Sequence, residues 1–300
     1  FRAGKTEEAH AAALSALRAG EETYGPQHPN LLTTLFNLGV IQRARRKTAE
    51  AESALKRALA IYEGSAAHEW SAAEHSLAAE LLDFLGFYHF EARDFGAAEK
   101  YWGQAVAVGE KVPGADNERV GRHVIRLAEF HRLRTGLKKA GLLYLRAVEL
   151  LLKSPGKNRE LLDLATDGYH CSLINSTLEY EEVLEAMNAV GRMRADAEPK
   201  PKAWDSPVTL QAGVINGKAL SKPQPDYPRA ARDQRLMGGV AVKIVVDERG
   251  RVTEATPMCA HPILMEAARD AALRARFTPT TLGGVPVRVA GVITYRFVLR

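Results

Sequence analysis

The sequence predicts two parts: an all-α helical-repeat array, then a small α+β domain. Three observations carry that expectation. Self-similarity recurs through the first two-thirds at intervals of 40 to 47 residues. A proline- and lysine-rich stretch follows Asp196. Beyond it the apolar period changes from helical to alternating. The expected boundaries are 1–196 for the array, 197–208 for a linker and 209–300 for the second domain.

The array is read from paired small residues. Gly39 and Ala58, Gly86 and Ala105, Ala128 and Ala147, and Gly168 and Met187 are each 19 residues apart. A small residue on each of two helices lets them approach closely. Larger neighbours such as Leu55, Leu59 and Tyr62 fill the space between pairs. Ala16, 42 residues before Ala58, marks half a copy, so a further helix is expected upstream of this chain. Met187 is the one large residue at a marker position. The segment YGPQHPNLLTTLFNLG and the period near 42 resemble the kinesin-light-chain type of tetratricopeptide (TPR) repeat. The resemblance implies helix pairs whose surface binds another protein or a peptide. His89, His123, His131 and His170 fall within the expected helices and are read as core or surface residues rather than metal ligands.

The linker AEPKPKAWDSP breaks helical periodicity at Pro199, Pro201 and Pro207 and favours an extended chain. After it, Val240, Val242, Ile244 and Val246 alternate with Ala241, Lys243 and Val245 as a strand. Asp247–Gly250 forms a turn, and RVTEATPM returns as its hairpin partner. Pro262 opens a helix with a stripe of Leu264, Ala267, Ala268, Ala271 and Ala275. The final segment places Val287, Val289, Ile293, Tyr295 and Phe297 on one face, and its other face is expected to be largely wet. These elements give a three-stranded antiparallel sheet covered by one helix. The terminal strand is expected beside 240–246, with residues 288–296 as an open edge.

This segment resembles the C-terminal domain of TonB, the energy transducer of Gram-negative bacteria. The features that carry the resemblance are Tyr227-Pro228 before a short Ala/Arg helix, Gly239, the Asp247/Gly250/Arg251 turn, Phe277-x-Pro279 and the last strand. The resemblance implies a periplasmic module that captures an extended motif, the TonB box of a TonB-dependent outer-membrane transporter, by strand addition. The implied partner-binding residues are Lys222, Gln224, Pro225, Tyr227 and Pro228 before the sheet, and Arg288, Ala290, Val292, Thr294 and Arg296 along its edge. Tyr227-Pro228 reads equally as a packing cap. Engagement of the ExbB–ExbD motor would need a membrane helix absent from this sequence, and an inner-membrane anchor would lie upstream. A different reading is a periplasmic scaffold that reuses the domain for docking or homodimerisation.

Composition narrows the classes further. With 46% hydrophobic and 26% charged residues, the chain is ordinary globular material. Residues 198–300 carry a net charge of +7 and residues 1–197 a net of −2. The basic residues of the last third are scattered, which argues against nucleic acid as a partner. No run of about 18–20 apolar residues suited to a membrane span is present. Cys171 and Cys259 lie 88 residues apart and make no metal-binding pair; Cys259 is read as a buried or half-buried thiol without a role. No catalytic motif is found, and no catalytic residue, metal or cofactor is expected.

Overall fold

The computed structural model describes all residues except 1–2, 66, 112–116, 135, 155–157, 176–179, 198–208, 216–218 and 300. The expected linker therefore lies outside the described residues, apart from Ala197. The chain divides into two compact units, Phe1–Leu127 and Ala128–Arg300. The division falls inside the repeat array rather than at the Lys/Pro segment.

The first unit is helical. It contains α1 (Ala3–Tyr24), a 3-10 turn (Pro29–Leu31), α2 (Leu32–Ala44), α3 (Thr48–Gly64), α4 (Ala72–Glu91), α5 (Phe95–Glu110) and the first part of α6 (Asn117–Arg134). Local chemistry fixes the helix starts. Ser71 and Glu74 form a capping box at α4, and the Asp94 carboxylate accepts from the Ala97 N–H at α5. Arg46 and Arg93, 47 residues apart, both turn the chain between paired helices with φ near +60°.

The marker residues sit where helices touch. Ala58 and Ala105 are fully buried. A Cβ on Gly39 would lie 2.7 Å from Leu55, and one on Gly86 would lie 2.6 Å from the Trp102 indole. That indole is held by its own hydrogen bond to the Asp83 carbonyl at 3.1 Å. Gly86→Ala sets two effects against each other. Helix propensity favours alanine by about 0.5–1 kcal/mol. Overpacking a fixed side chain costs about 1–3 kcal/mol. Packing wins, and a net loss of about 1–2 kcal/mol in urea denaturation is expected; a variant as stable as the parent would show that the indole moves freely.

The second unit holds the rest of α6, then α7 (Leu137–Leu152), α8 (Arg159–Ile174), α9 (Tyr180–Ala197) and the C-terminal elements. These are β1 (Thr209–Val214), β2 (Ala219–Ser221), α10 (Arg229–Asp233), β3 (Gly238–Val246), β4 (Val252–Met258), α11 (Pro262–Leu273), β5 (Arg276–Phe277), β6 (Thr280–Leu282) and β7 (Val285–Phe297). Ala128, Ala147 and Met187 are all fully buried, so the large residue at the last marker position is accommodated as core.

The hairpin β3–β4, the helix α11 and the terminal strand β7 take the expected order. β7 runs antiparallel to β3, with Val242 opposite Ile293. Val240, Val242, Ile244 and Val246 pack with Leu264, Ala268, Ala271 and Ala272 of α11 and with Ile293, Tyr295 and Phe297 of β7. The small side chains of α11 let the helix lie close on the sheet.

Two expectations are corrected. The sheet has five strands rather than three, in the order β1-β7-β3-β4 with β6 also paired to β7; β2 and β5 form a separate pair. The second face of the sheet is wet only in part: Glu254, Thr256 and Arg296 are exposed, but its centre is buried. Val292 and Thr294 are 7% and 4% exposed. Lys243, on that face, reaches the Asp167 carboxylate of α8 at 2.6 Å. The last helix pair therefore covers the centre of this face, where Lys243 meets a carboxylate rather than water.

Candidate functional site

The side of β7 away from β3 is where the edge residues of the expected site and Lys222 come together. Its neighbour there is β1, which runs parallel to it. Thr209 lies opposite Arg288, Leu210 opposite Val289, Gln211 opposite Ala290 and Val214 opposite Val292, with an irregularity between Gln211 and Val214. The Ile215 N–H donates to the Val292 carbonyl at 2.9 Å. The next carbonyl pointing the same way, Thr294, accepts from the Lys222 ammonium at 3.0 Å. The open edge expected over 288–296 is thus filled by the chain's own residues as far as Thr294. Alternation within the strand was legible; the identity of its second neighbour was not.

Lys222 is placed by β2, which pairs with β5. Its ammonium also lies 5.3 Å from the centre of the Tyr295 ring, and burial pushes its pKa below the ordinary lysine value. Gln224 is exposed, and Pro225 is half-buried. Tyr227 packs inward: its hydroxyl donates to the Leu236 carbonyl at 2.5 Å and its ring meets Phe297 edge-on at 5.4 Å. Pro228 is the N-cap of α10. The geometry of this pair is that of a cap tying α10 to the end of β7. Arg288 is half-buried, and Arg296 is exposed opposite Gly239.

The hairpin turn is built as its sequence suggests. One oxygen of the Asp247 carboxylate accepts from the N–H groups of Arg249 and Arg251 at 3.0 and 2.8 Å, and the other from the Arg251 guanidinium at 2.9 Å. Those bonds hold the carboxyl below its usual pKa. Gly250 has φ +77°, and its carbonyl accepts from the Phe277 N–H at 2.8 Å. A side chain at Gly250 would strike the Phe277 carbonyl.

The strongest feature that sequence reasoning missed is the fastening of α8 to the sheet domain. Cys171 on α8 and Cys259 after β4 form a disulfide, which corrects the reading of Cys259 as a thiol without a role. The Asn175 amide donates to the carbonyls of both Cys171 and Cys259, at 3.1 and 3.2 Å. Cys259 has φ +73°, in the left-handed region uncommon for a side-chain-bearing residue. Gly239 leaves room for Ile174, whose carbonyl would be 3.1 Å from a Cβ there. A lone pair of cysteines carries no spacing rule, so their proximity was invisible in the sequence.

A cavity of about 260 Å³ lies between α8, α9 and the sheet. Arg194 pairs with Asp163 at 2.6 Å and Lys243 with Asp167, while His170 projects into the same space. His170 is 4% exposed. Burial first, then the charges of Lys243 and Arg194, push its pKa down to about 3. Burial holds the Asp167 carboxyl up, against the pull of Lys243.

The first unit presents a separate groove of about 530 Å³ on the first helices of three successive pairs. Thr33 and Phe36 of α2, Leu77 and Glu80 of α4, and Arg119 and Arg122 of α6 line it. Apolar side chains flanked by both charge signs suit a peptide better than a small uncharged ligand. Among the described residues, no cluster of three or more His, Cys, Asp or Glu could hold a metal ion, and no helix is long and apolar enough to cross a membrane.

The fold is therefore that of a helical-repeat protein ending in a small sheet-and-helix domain whose long last strand, β7, pairs with β1, β3 and β6. Residues 223–299 match the family model described as Gram-negative bacterial TonB protein C-terminal. Residues 1–64 match the tetratricopeptide repeat model. No curated protein matches the chain. Solved structures to which this chain is similar include BtubC (BKLC) from P. vanneervenii, at 18% identity and TM-score 0.49, covering 68% of this chain and 80% of that one. A Podosopora anserina kinesin-light-chain protein with nearly identical TPR-like repeats matches at 16% identity and TM-score 0.46, covering 66% of this chain and 90% of that one.

Proposed function

We propose that this chain is a periplasmic TonB-like binding protein that takes the N-terminal TonB-box or plug segment of an outer-membrane transporter along β7, while its repeat array holds a further protein. One observation supports this reading above the others: β7 already carries an added parallel strand across Arg288–Val292. An incoming segment would have to take the place of β1 there, because one strand edge pairs with one backbone at a time. The disulfide fits an oxidising compartment such as the periplasm. Main-chain pairing would supply affinity, and Gln224, Arg288 and Arg296 at the rim would tune selectivity.

A second reading is favoured by the same fastening. A sheet domain bound to α8 by a disulfide and an ion pair would cap the array, as in a scaffold without energy transduction. Titration of the full chain with transporter N-terminal peptides separates the two. Binding lost in Val292→Pro, with the circular dichroism of the parent retained, is the expected result. Peptides that fail to bind at any accessible concentration would leave the scaffold.

A further inference from the structure

We infer that residues 209–215 are a displaceable resident of the β7 edge, so that a docking partner must be an extended segment that competes with the chain's own strand. The inference rests on the reading of β7 as a docking edge and adds its regulation.

Four features support displacement rather than permanent membership of the sheet. β1 stands at the end of the strand order, with β7 as its neighbour on one side. Its pairing is interrupted between Gln211 and Val214, which shortens each uniform stretch of ladder. In the chain it follows α9 and lies nearly 80 residues before its partner strand, so it is not the return arm of a tight hairpin. Parallel pairing is also somewhat weaker per residue than the antiparallel β3–β7 pairing on the other side.

The same contacts describe the partner. It runs parallel to β7, spans six or seven residues, and places an apolar side chain where Ile215 is 5% exposed in the core. Its main chain donates to the Val292 carbonyl, as the Ile215 N–H does. A longer partner would reach the Thr294 carbonyl and replace the Lys222 ammonium. A competitor in the same chain lowers the partner's apparent affinity by the fraction of molecules in which it is displaced, without blocking the site outright.

The test uses the full chain and a fluorescent peptide of its own sequence TLQAGVI, residues 209–215. Replacing Leu210 and Ala212 by proline disables β1 in place and leaves β7 untouched. The variant is expected to bind the peptide at least about tenfold more tightly than the parent. Equal affinity, or no uptake by a variant with parental circular dichroism, would overturn the inference. Native-state hydrogen exchange on the unaltered chain gives a second reading. Amides of 209–215 should exchange through a local opening, well before those of β3. Exchange of both only on global unfolding would show that β1 is a permanent strand. If the variant takes up TLQAGVI but no transporter peptide, the competition stands and the transporter reading falls.

Discussion

Replacing Cys171 and Cys259 together by serine is expected to lower the unfolding free energy of the Ala128–Arg300 unit by about 4 kcal/mol. The disulfide closes a loop of 88 residues. Chain-entropy arguments give about 3 kcal/mol for a short loop and nearly 5 for one of about a hundred residues. The double substitution avoids a lone reactive thiol and removes the cross-link alone. The Asn175 hydrogen bonds and the Lys243–Asp167 pair remain, but they cannot replace it. Lys243 and Asp167 side chains are 37% and 30% exposed, so solvent screens their attraction and it contributes little beyond about 1 kcal/mol. Urea denaturation of parent and variant, with and without reductant, measures the difference. Reductant should bring the parent down to the variant and leave the variant unchanged. A difference below about 1 kcal/mol would mean that α8 and the sheet domain are held together by packing alone.

That fastening marks the limit of what the sequence made legible. The array was readable because close helix packing imposes a recurring requirement: Gly39, Gly86 and Gly168 each face a large side chain of an adjacent helix, Leu55, Trp102 and Tyr144 respectively. The β3–β4 hairpin was readable because Asp247 and Gly250 fix its turn locally, and α11 because Pro262 and its small-residue stripe fix its start and its face. β1 was not readable. TLQAGV has no sustained alternation, and its pairing with β7 joins residues nearly 80 positions apart. Burial of Thr294 and Val292 was missed for a related reason. A polar residue facing a polar helix surface looks the same in sequence as one facing water. The edge over 288–296 was expected to be open because β1, its neighbour there, could not be foreseen. Tyr227 could be read two ways, and its bond to Leu236 with its contact to Phe297 shows the packing role.

The second large effect is acid sensitivity centred on His170. In the folded chain its pKa is pushed down to about 3, by burial and then by the charges of Lys243 and Arg194. In the unfolded chain it returns to about 6.5. Between those values the unfolded state takes up a proton that the folded state refuses. Stability is therefore fully present above pH 6.5 and falls by about 1.4 kcal/mol per pH unit below it, or about 2–3 kcal/mol by pH 4.5. Asp167 is raised, so its protonation inside the fold offsets part of the loss near the ordinary carboxylate range. Asp163 and Arg159 of α8 and Glu254 of β4 complete the charged surroundings on the cavity wall. Asp247, in the β3–β4 turn, is lowered, and its contribution disappears only as pH drops below about 4. His170→Gln keeps a neutral polar side chain and removes the titration. Urea denaturation between pH 7 and 4.5 should show the parent losing stability steadily while the variant stays nearly level. Parallel pH profiles would mean that His170 is protonated within the fold, and that the cavity between α8, α9 and the sheet admits enough water to solvate it.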